Sequence, residues 1–196
     1  MYLKRAIQAL SQGAVGFLRG DQVGALITSK GLAEAAIEGR LFSVANQAAV
    51  AVTAALATTW TGLGVANPPG SGKLFIVHEF GWAQTVVNPA EGAIGLMTSD
   101  DTGFAAALTP RCTRNGYKAS SAYCDDGATI ATPILVRICG STMEGAITTS
   151  PATLPSIIDL KGGIILAPGR SIMTYHTAGG TASLVFHFVW EEIDNI

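Results

Sequence analysis

The stretch "SLVFHFVWEEI" (residues 183–193) decides the fold class of this 196-residue chain. Its side chains alternate with a period of two, which is the period of a β-strand. Large apolar residues fall on one face, and two valines with a histidine fall on the other: Leu184, Phe186, Phe188 and Trp190 against Val185, His187 and Val189. Both faces are largely apolar, as expected of a strand inside a structure of two packed sheets.

Seven further segments of this kind precede it, separated by turn signals rich in Gly, Pro, Asn and Asp. They are "AAVAV", "WTGLGVA", "LFIVHEFGWAQTV", "GAIGLMTS", "ATPILVRIC", "IIDLKGGIILAPG" and "SIMTYHTA". No helical pattern lies between them, and about eight strands suit a jelly roll. We therefore predict an all-β fold, an antiparallel jelly-roll-like β-sandwich over residues 43–196. Its predicted core is the aromatic set Phe75, Phe80, Trp82, Phe186, Phe188 and Trp190.

Residues 1–42 are predicted to form a separate N-terminal arm. "YLKRAIQAL" and "SKGLAEAAIEGRLF" carry helical patterns, whereas the intervening "SQGAVGFLRGDQVGALI" has four glycines, too many for a stable helix. We expect short helices joined by extended linkers that pack on a neighbouring subunit. The expected contact residues are Leu3, Ile7, Leu10, Phe17, Leu18, Leu26 and Ile27. Deletion of the arm should leave a folded sandwich and weaken assembly.

The chain carries few charges for its size. Charged residues make up 13% of it, against about 25% in a typical soluble domain. A monomer of this length would expose roughly 9,000 Å², so we expect much of its surface to be buried against copies of itself or a larger assembly. The net charge of −2 offers no basic footprint for nucleic acid. The most apolar region, "VANQAAVAVTAALATTWTGLGVA", is too polar for a membrane span, so no membrane partner is predicted.

The sequence "NPPGSGK" (residues 67–73) resembles the end of a phosphate-binding loop, which requires G-x-x-x-x-G-K-[ST] between a strand and a helix. The first glycine position is held by Asn67, and Leu74 follows the lysine where a magnesium-binding hydroxyl is needed. The next segment has the composition of a strand, so no helix N-terminus is offered to an anion. We interpret the stretch as a turn that leads into a buried strand.

The candidate metal ligands are scattered along the chain. His78 begins an H-E-x-x-H pattern, but Trp82 stands at its fifth position and the segment is strand-like. His176 and His187 lie on other predicted strands, without the clustered H-x-H of cupin-like metal sites. We interpret the three histidines as partly buried, hydrogen-bonded residues. A cupin-like metalloenzyme is the alternative.

The paired aspartates of "SDD" (residues 99–101) and "CDDG" (residues 124–127) are interpreted as turn formers with solvated charge. A Ca²⁺ site is the alternative there, because oxygen-rich turns suit hard cations. The chain has no G-x-S-x-G elbow and no cysteine with an assignable histidine partner. We therefore predict no enzymatic activity, no catalytic residues and no cofactor. The odd number of cysteines suits free thiols, and a Cys112–Cys124 bridge stays open for an oxidising medium.

Two segments carry a family resemblance, "TWTGLGVANPPGSGKLFIVHEFGW" (residues 59–82) and "IILAPGRSIMTYHTAGGTASLVFHFVWEE" (residues 164–192). They contain a Thr-Gly strand, an "NP…SGK" turn into an apolar strand, a "PG" turn and a closing "F-x-W-E-E". These elements are Thr61-Gly62, Asn67-Pro68 with Ser71-Gly72-Lys73, Pro168-Gly169, and Phe188 with Trp190-Glu191-Glu192. Over about residues 40–196 the chain thus resembles structural proteins of tailed-bacteriophage virions, of the jelly-roll capsid decoration (cement) type.

The resemblance implies a homo-oligomeric, often trimeric, protein that binds the outside of a capsid where capsomers meet. Its partners would be copies of itself and the major capsid protein, and no catalytic residue is implied. The sparse charge, the arm and the free thiols agree with a virion protein that assembles in a bacterial cytoplasm. The alternatives are a neck or tail adaptor, and a receptor- or glycan-binding module that uses Tyr117 and Tyr123 of "RNGYKASSAYCDDG".

Overall fold

Strands dominate the part of the chain that the computed structural model describes, which is residues 32–85, 91–142 and 155–195. Within these residues one short helix, α1, spans Leu32–Ile37. The strands are β1 (Leu41–Ala45), β2 (Val50–Val52), β3 (Thr59–Asn67), β4 (Lys73–Gln84), β5 (Gly92–Ser99), β6 (Arg111–Cys112), β7 (Tyr123–Thr129), β8 (Ile134–Thr142), β9 (Ser156–Leu166), β10 (Arg170–His176) and β11 (Gly180–Asp194). They form two sheets of antiparallel strands, so the predicted all-β sandwich is confirmed.

The strand pairing is nested along the chain. The first sheet has the order β6-β1-β11-β4-β9, with β2 also paired to β11, and the second has the order β7-β3-β10-β5-β8. Strand β1 pairs with β11, β3 with β10, β4 with β9 and β5 with β8. Strands β8 and β9 therefore each end a sheet, and residues of both line one groove.

The main hydrophobic core lies between the two sheets. All six predicted core aromatics are buried there. The rings pack against one another across strands: the centroids of Phe80 and Phe188 are 5.1 Å apart, and those of Phe42 and Trp190 are 6.2 Å apart. The alternation in β11 is the cause, because residues two apart on a strand face the same side of the sheet.

A second apolar cluster covers the outer face of the second sheet. It consists of Trp60, Ala66, Met97, Phe104, Ile130 and Met173. Met97 and Met173 are paired across β5 and β10. Their chain neighbours Leu96 and Ile172 belong to the main core, so the two methionines face away from it. This sheet is thus covered by apolar side chains on both faces, which explains the unbroken apolar run in β5.

The predicted boundary between the arm and the sandwich falls inside β1. Phe42 is fully buried and stacks on Trp190, and β1 pairs with β11 along its length. Helix α1 also packs on the sandwich, since Ala35 is buried. Residues 32–42 therefore belong to the packed structure. The rest of the predicted arm, residues 1–31, lies outside the described residues.

The turn over residues 67–73 is braced by its own side chains. Asn67 is fully buried, and its amide group donates hydrogen bonds to the carbonyl oxygens of Lys73 and Leu166 at 2.8 and 2.9 Å. The hydroxyl of Ser71 donates to the Asn67 side-chain oxygen at 2.6 Å. The interpretation as a turn that leads into a buried strand is confirmed, and Asn67 is the residue that ties the turn to β9.

Candidate functional site

The seven arm residues predicted as subunit contacts, from Leu3 to Ile27, lie outside the described residues, so their role stays a prediction. The sandwich itself offers another apolar surface. Five of the ten large hydrophobic side chains that the described chain exposes lie on its two edge strands and are 47–61% exposed: Ile134, Val136 and Ile138 on β8, and Ile157 and Ile165 on β9. We call this set the β8–β9 edge.

A groove of about 480 Å³ opens between β8 and β9, and one of the five side chains, Val136, lines it. Ile157 and Ile165 pair with Gly81 and Ile76, on the outer face of the first sheet. The groove is lined by Thr98, Val136, Arg137, Leu160, Gly163 and Ile164.

Elsewhere along β8 the sheets are in close contact, because the Trp82 ring lies against Gly140. A Cβ atom on Gly140 would stand 2.9 Å from that ring, so only glycine fits without a shift. The sandwich is therefore closed at Gly140 and open along the groove.

Both edge strands are irregular. The pairing of β9 with β4 shifts register opposite His78, where Lys161 and Gly162 adopt left-handed backbone with φ of 53° and 67°. The pairing of β8 with β5 shifts register twice. Bulges and an exposed lysine hinder the addition of a further strand to an open sheet edge. A partner of this edge is therefore expected to pack on its side chains, without extending either sheet.

The apolar area of the edge is large enough to contribute to association. Complete burial of one aliphatic side chain contributes about 1.5–3 kcal/mol. Because the five side chains are about half exposed, covering all of them would contribute roughly 4–8 kcal/mol. Association itself costs about 4–15 kcal/mol in lost freedom of motion. The edge can supply a substantial part of a stable interface, but a subunit needs more than one such contact.

The β8–β9 edge is not apparent from the sequence, because isoleucines in a sandwich strand are expected to be buried. A signal was nevertheless present. Arg137 interrupts the apolar run "ILVRIC", and Lys161 with two glycines interrupts "IIDLKGGIIL". Charged residues and glycines inside an apolar strand are typical of sheet edges and bulges.

The three histidines lie apart, and each has its own partner. In the first sheet, His187 Nε2 lies 2.8 Å from Glu79 Oε1, and His78 Nε2 lies 3.4 Å from Glu191 Oε2. The third histidine is on β10, in the second sheet. Across the described ranges, no group of three or more His, Cys, Asp or Glu side chains is placed to hold a metal ion.

His176 is buried and bonded through both ring nitrogens. Its Nδ1 accepts the N–H of Ala178 at 3.3 Å, so the ring proton is on Nε2, which lies 2.9 Å from the hydroxyl oxygen of Thr142. Burial lowers the pKa of His176, which keeps the ring neutral at pH 7. The interpretation as a buried, hydrogen-bonded histidine is confirmed here, and the contact joins β10 to β8.

The two aspartate pairs have partners within the fold. "CDDG" lies in β7, which pairs with β3, so its interpretation as a turn is wrong. Asp125 is buried, and its carboxylate accepts the N–H of Ala105 at 2.7 Å. The prediction failed because a distant backbone donor satisfies a carboxylate that was taken to be solvated. In "SDD", at the end of β5, Asp100 is exposed and forms an ion pair with Arg170.

All three cysteines are free thiols. Cys112 and Cys124 are buried in the main core. Burial, together with the negative charges of Glu192 and Asp125, raises the pKa of Cys124. Burial also raises the pKa of Cys139. Because the thiolate is the reactive form of cysteine, these two thiols have low nucleophilicity at neutral pH.

The exposed tyrosines of the connection before β7 and of β7 itself have different surroundings. Tyr117 is 55% and Tyr123 45% exposed. The guanidinium of Arg114 lies 4.0 Å from the centre of the Tyr117 ring. The same ring covers Gly39, whose φ of 68° favours glycine. Tyr117 therefore helps to hold the turn between α1 and β1. In the alternative hypothesis of a glycan-binding module, the exposed part of its ring would contact the glycan.

The "W-E-E" segment that contributes to the family resemblance holds a long connection in place. Glu192 is buried, and its carboxylate accepts the hydroxyl of Ser120 at 2.5 Å and the N–H of Ser121 at 3.1 Å. The indole N–H of Trp190 donates to the same carboxylate at 3.3 Å. The segment thus fixes the connection before β7 onto β11, and its role here is structural.

No helix formed by the described ranges has the length and apolar character needed to cross a membrane. Comparison of the chain with protein-family models, with curated proteins and with solved structures gave no match. We therefore infer its function from its sequence, its fold and its surface.

Proposed function

We propose that the protein is a structural subunit of a bacteriophage virion, a homo-oligomeric, most simply trimeric, decoration (cement) protein on the outside of the capsid. The observation that carries this proposal is the β8–β9 edge. Exposed aliphatic side chains concentrated on the edge strands of a sandwich are typical of a surface that is covered in an assembly. The low charge of the chain supports the same conclusion. The second partner would be the major capsid protein.

We further propose that the sandwich is a jelly roll, an architecture found in viral capsid domains. The nested pairing of the strands supports this proposal. The outermost pair is β1 with β11, and the innermost pair is β5 with β8. The eight strands so paired form one long antiparallel ribbon. Rolling up such a ribbon brings β11 beside β4 and β10 beside β5, and both pairs are present. An N-terminal arm over residues 1–31 is part of the same proposal.

The role is mechanical in this proposal. A subunit seated across neighbouring capsomers adds contact area, so internal pressure has to break more contacts to open a seam. Buried polar side chains of the sandwich form hydrogen bonds within the chain and so stabilise the fold, as a mechanical role requires. These side chains are Asp125, His176 and Glu192.

The virion role is tested by the protein content of purified particles. Particles from an induced lysate of the bacterium that carries the gene are banded in a density gradient, and an uninduced lysate is the control. Mass spectrometry and labelling with an antibody against the recombinant protein should find this chain on the heads. Label at the neck or tail would favour the adaptor alternative. Absence of the chain from the particles would contradict the virion role.

A further inference from the structure

We infer that His176 is a pH-sensitive switch built into one end of the sandwich: the neutral ring holds this end together, and a protonated ring opens it. The inference goes beyond the proposed function and does not depend on it. At this end β10 stops at His176, β5 begins at Gly92 and β8 stops at Thr142. The turn over residues 177–179 and the connection between β2 and β3, residues 53–58, complete it. We call this part of the fold the His176 end.

The ring of His176 is 1% exposed and packs against all three strand ends. A Cβ atom on Gly92 would stand 2.4 Å from the ring, so the ring lies directly on the backbone of β5. The Nε2–H group donates to the hydroxyl oxygen of Thr142, at 2.9 Å. That hydroxyl exchanges hydrogen bonds with the N–H and the carbonyl oxygen of Gly92, at 3.1 and 3.3 Å. The neutral ring therefore ties β10 to both β5 and β8.

Only the neutral form of the ring fits these partners. The N–H of Ala178 points at Nδ1 from 3.3 Å, so Nδ1 has to be free of a proton. Protonation would place a second N–H opposite that of Ala178, and two donors form no hydrogen bond with each other. The new charge would also be buried, which is unfavourable without a counter-ion. A charged ring therefore has to move toward water.

The described elements packed against the ring bring no counter-ion to it. Strands β3 and β5, the connection over residues 53–58 and the turn over residues 177–179 contain no charged residue. On β8 the charged residue is Arg137, five residues before Thr142, and its charge is positive. Glu91, just before β5, is exposed. In keeping with this, burial lowers the pKa of His176.

The backbone of His176 holds the connection between β2 and β3. Its carbonyl oxygen accepts the N–H of Ala55 at 2.8 Å, and Ala54 forms a bridge with it. Ala55 has a φ of 54°, in the left-handed region that residues with a side chain rarely adopt. A Cβ atom on Gly179 would stand 3.0 Å from the backbone nitrogen of Ala54, so the turn and the connection are in close contact. Movement of His176 would thus release both of them.

Acid is expected to open the His176 end. In the closed form the pKa of His176 lies below the ordinary value of about 6.5, which the ring regains when water reaches it. The neutral ring therefore stabilises the closed form fully above about pH 6.5, and this stabilisation is lost as the pH falls. The equilibrium constant for opening should rise by up to about tenfold for each pH unit, until the ring also titrates in the closed form.

Hydrogen exchange measured by NMR on the full-length ¹⁵N-labelled protein tests the inference. Rates between pH 7 and pH 5 are divided into the rates of an unstructured chain at the same pH, which gives a protection factor for each amide. We expect the protection of the Ala55 and Ala178 amides to fall several-fold over this range. The control is the amide of Gly169, which donates to the carbonyl oxygen of Asn67 at the opposite end of β10. Its protection should stay constant.

A matched pair of variants shows whether His176 is responsible. His176→Gln cannot gain a proton but keeps an N–H group for Thr142, so the protection of Ala55 should no longer depend on pH. His187→Gln changes a histidine whose ring lies over Gly81 on the first sheet, and it should keep the pH dependence of the wild type. Circular dichroism first establishes that both variants are folded.

The ring can also be observed directly in the wild type, so the test does not depend on the folding of a variant. In protein labelled with ¹⁵N-histidine, the nitrogen shifts of His176 should report an Nε2–H ring at pH 7 and its protonation together with the loss of protection at Ala55. Protonation above pH 6.5 with Ala55 still protected would overturn the inference. Constant protection of Ala55 down to pH 5, an equal loss at Gly169, or an unchanged pH dependence in His176→Gln would overturn it as well.

Discussion

Replacement of Phe42 by alanine is expected to lower the free energy of unfolding by about 3–5 kcal/mol. The ring is fully buried and stacks on Trp190, so its removal leaves a cavity between the sheets. The effect would be large for a residue at the end of the predicted arm, and it would show that β1 is part of the sandwich. Urea unfolding of the full-length protein measures it.

The control is Leu56→Ala, because that side chain is 44% exposed and its loss should change the free energy by no more than about 0.5 kcal/mol. Because β1 packs in the sandwich, deletion of the whole predicted arm is no longer expected to leave the sandwich intact. Removal of residues 1–31 leaves β1 intact and should preserve the circular dichroism spectrum. Removal of residues 1–42 deletes Leu41 and Phe42 and should destabilise the sandwich. A loss below about 1 kcal/mol for Phe42→Ala would contradict the packing of β1.

Replacement of Glu192 by alanine is expected to cost about 3 kcal/mol of stability or more, since each buried group left unsatisfied costs about 1–3 kcal/mol. The carboxylate accepts hydrogen bonds from the hydroxyl of Ser120, the N–H of Ser121 and the indole of Trp190. Its loss should also free the connection before β7. Trypsin should then cleave faster after Arg114, alongside the lower urea midpoint.

The matched control is Glu192→Gln, which keeps one acceptor oxygen and nearly the same volume. It should retain part of the stability and most of the resistance to trypsin. Two variants that unfold at the wild-type urea midpoint would show that the carboxylate does not hold the connection. Faster cleavage in the glutamine variant than in the alanine variant would contradict the same account.

The sequence predicted the two-sheet architecture because its strands carry their own signal. In β11 the alternation of large apolar residues follows directly from the strand period, and the same six aromatic rings that were predicted as core are buried. This sequence signal fails where the conformation of a segment depends on a partner that is distant in the chain. Asp125 lies in a strand because β7 pairs with β3 and because the N–H of Ala105 satisfies its carboxylate. Strand β1 was missed because it is short and follows a helical pattern.

The candidate interaction surface was harder to predict than the fold. Isoleucines such as Ile157 and Ile165 usually occupy buried positions in strands, and only the order of the strands in the sheets shows that these two lie on an edge strand. That order depends on pairing between segments that are far apart in the chain. Arg137 and Lys161 interrupt the two apolar runs, and such interruptions are the local signal that can mark an edge before the topology is known.

The native mass of the full-length protein in solution tests the central proposal most directly. Light scattering over a range of concentrations compares the mass of the particle with the 20.2 kDa mass of one chain. We predict a stable particle of three times the chain mass, because a homotrimer would cover the exposed β8–β9 edge of each subunit. A particle with the mass of one chain at every concentration would contradict the account.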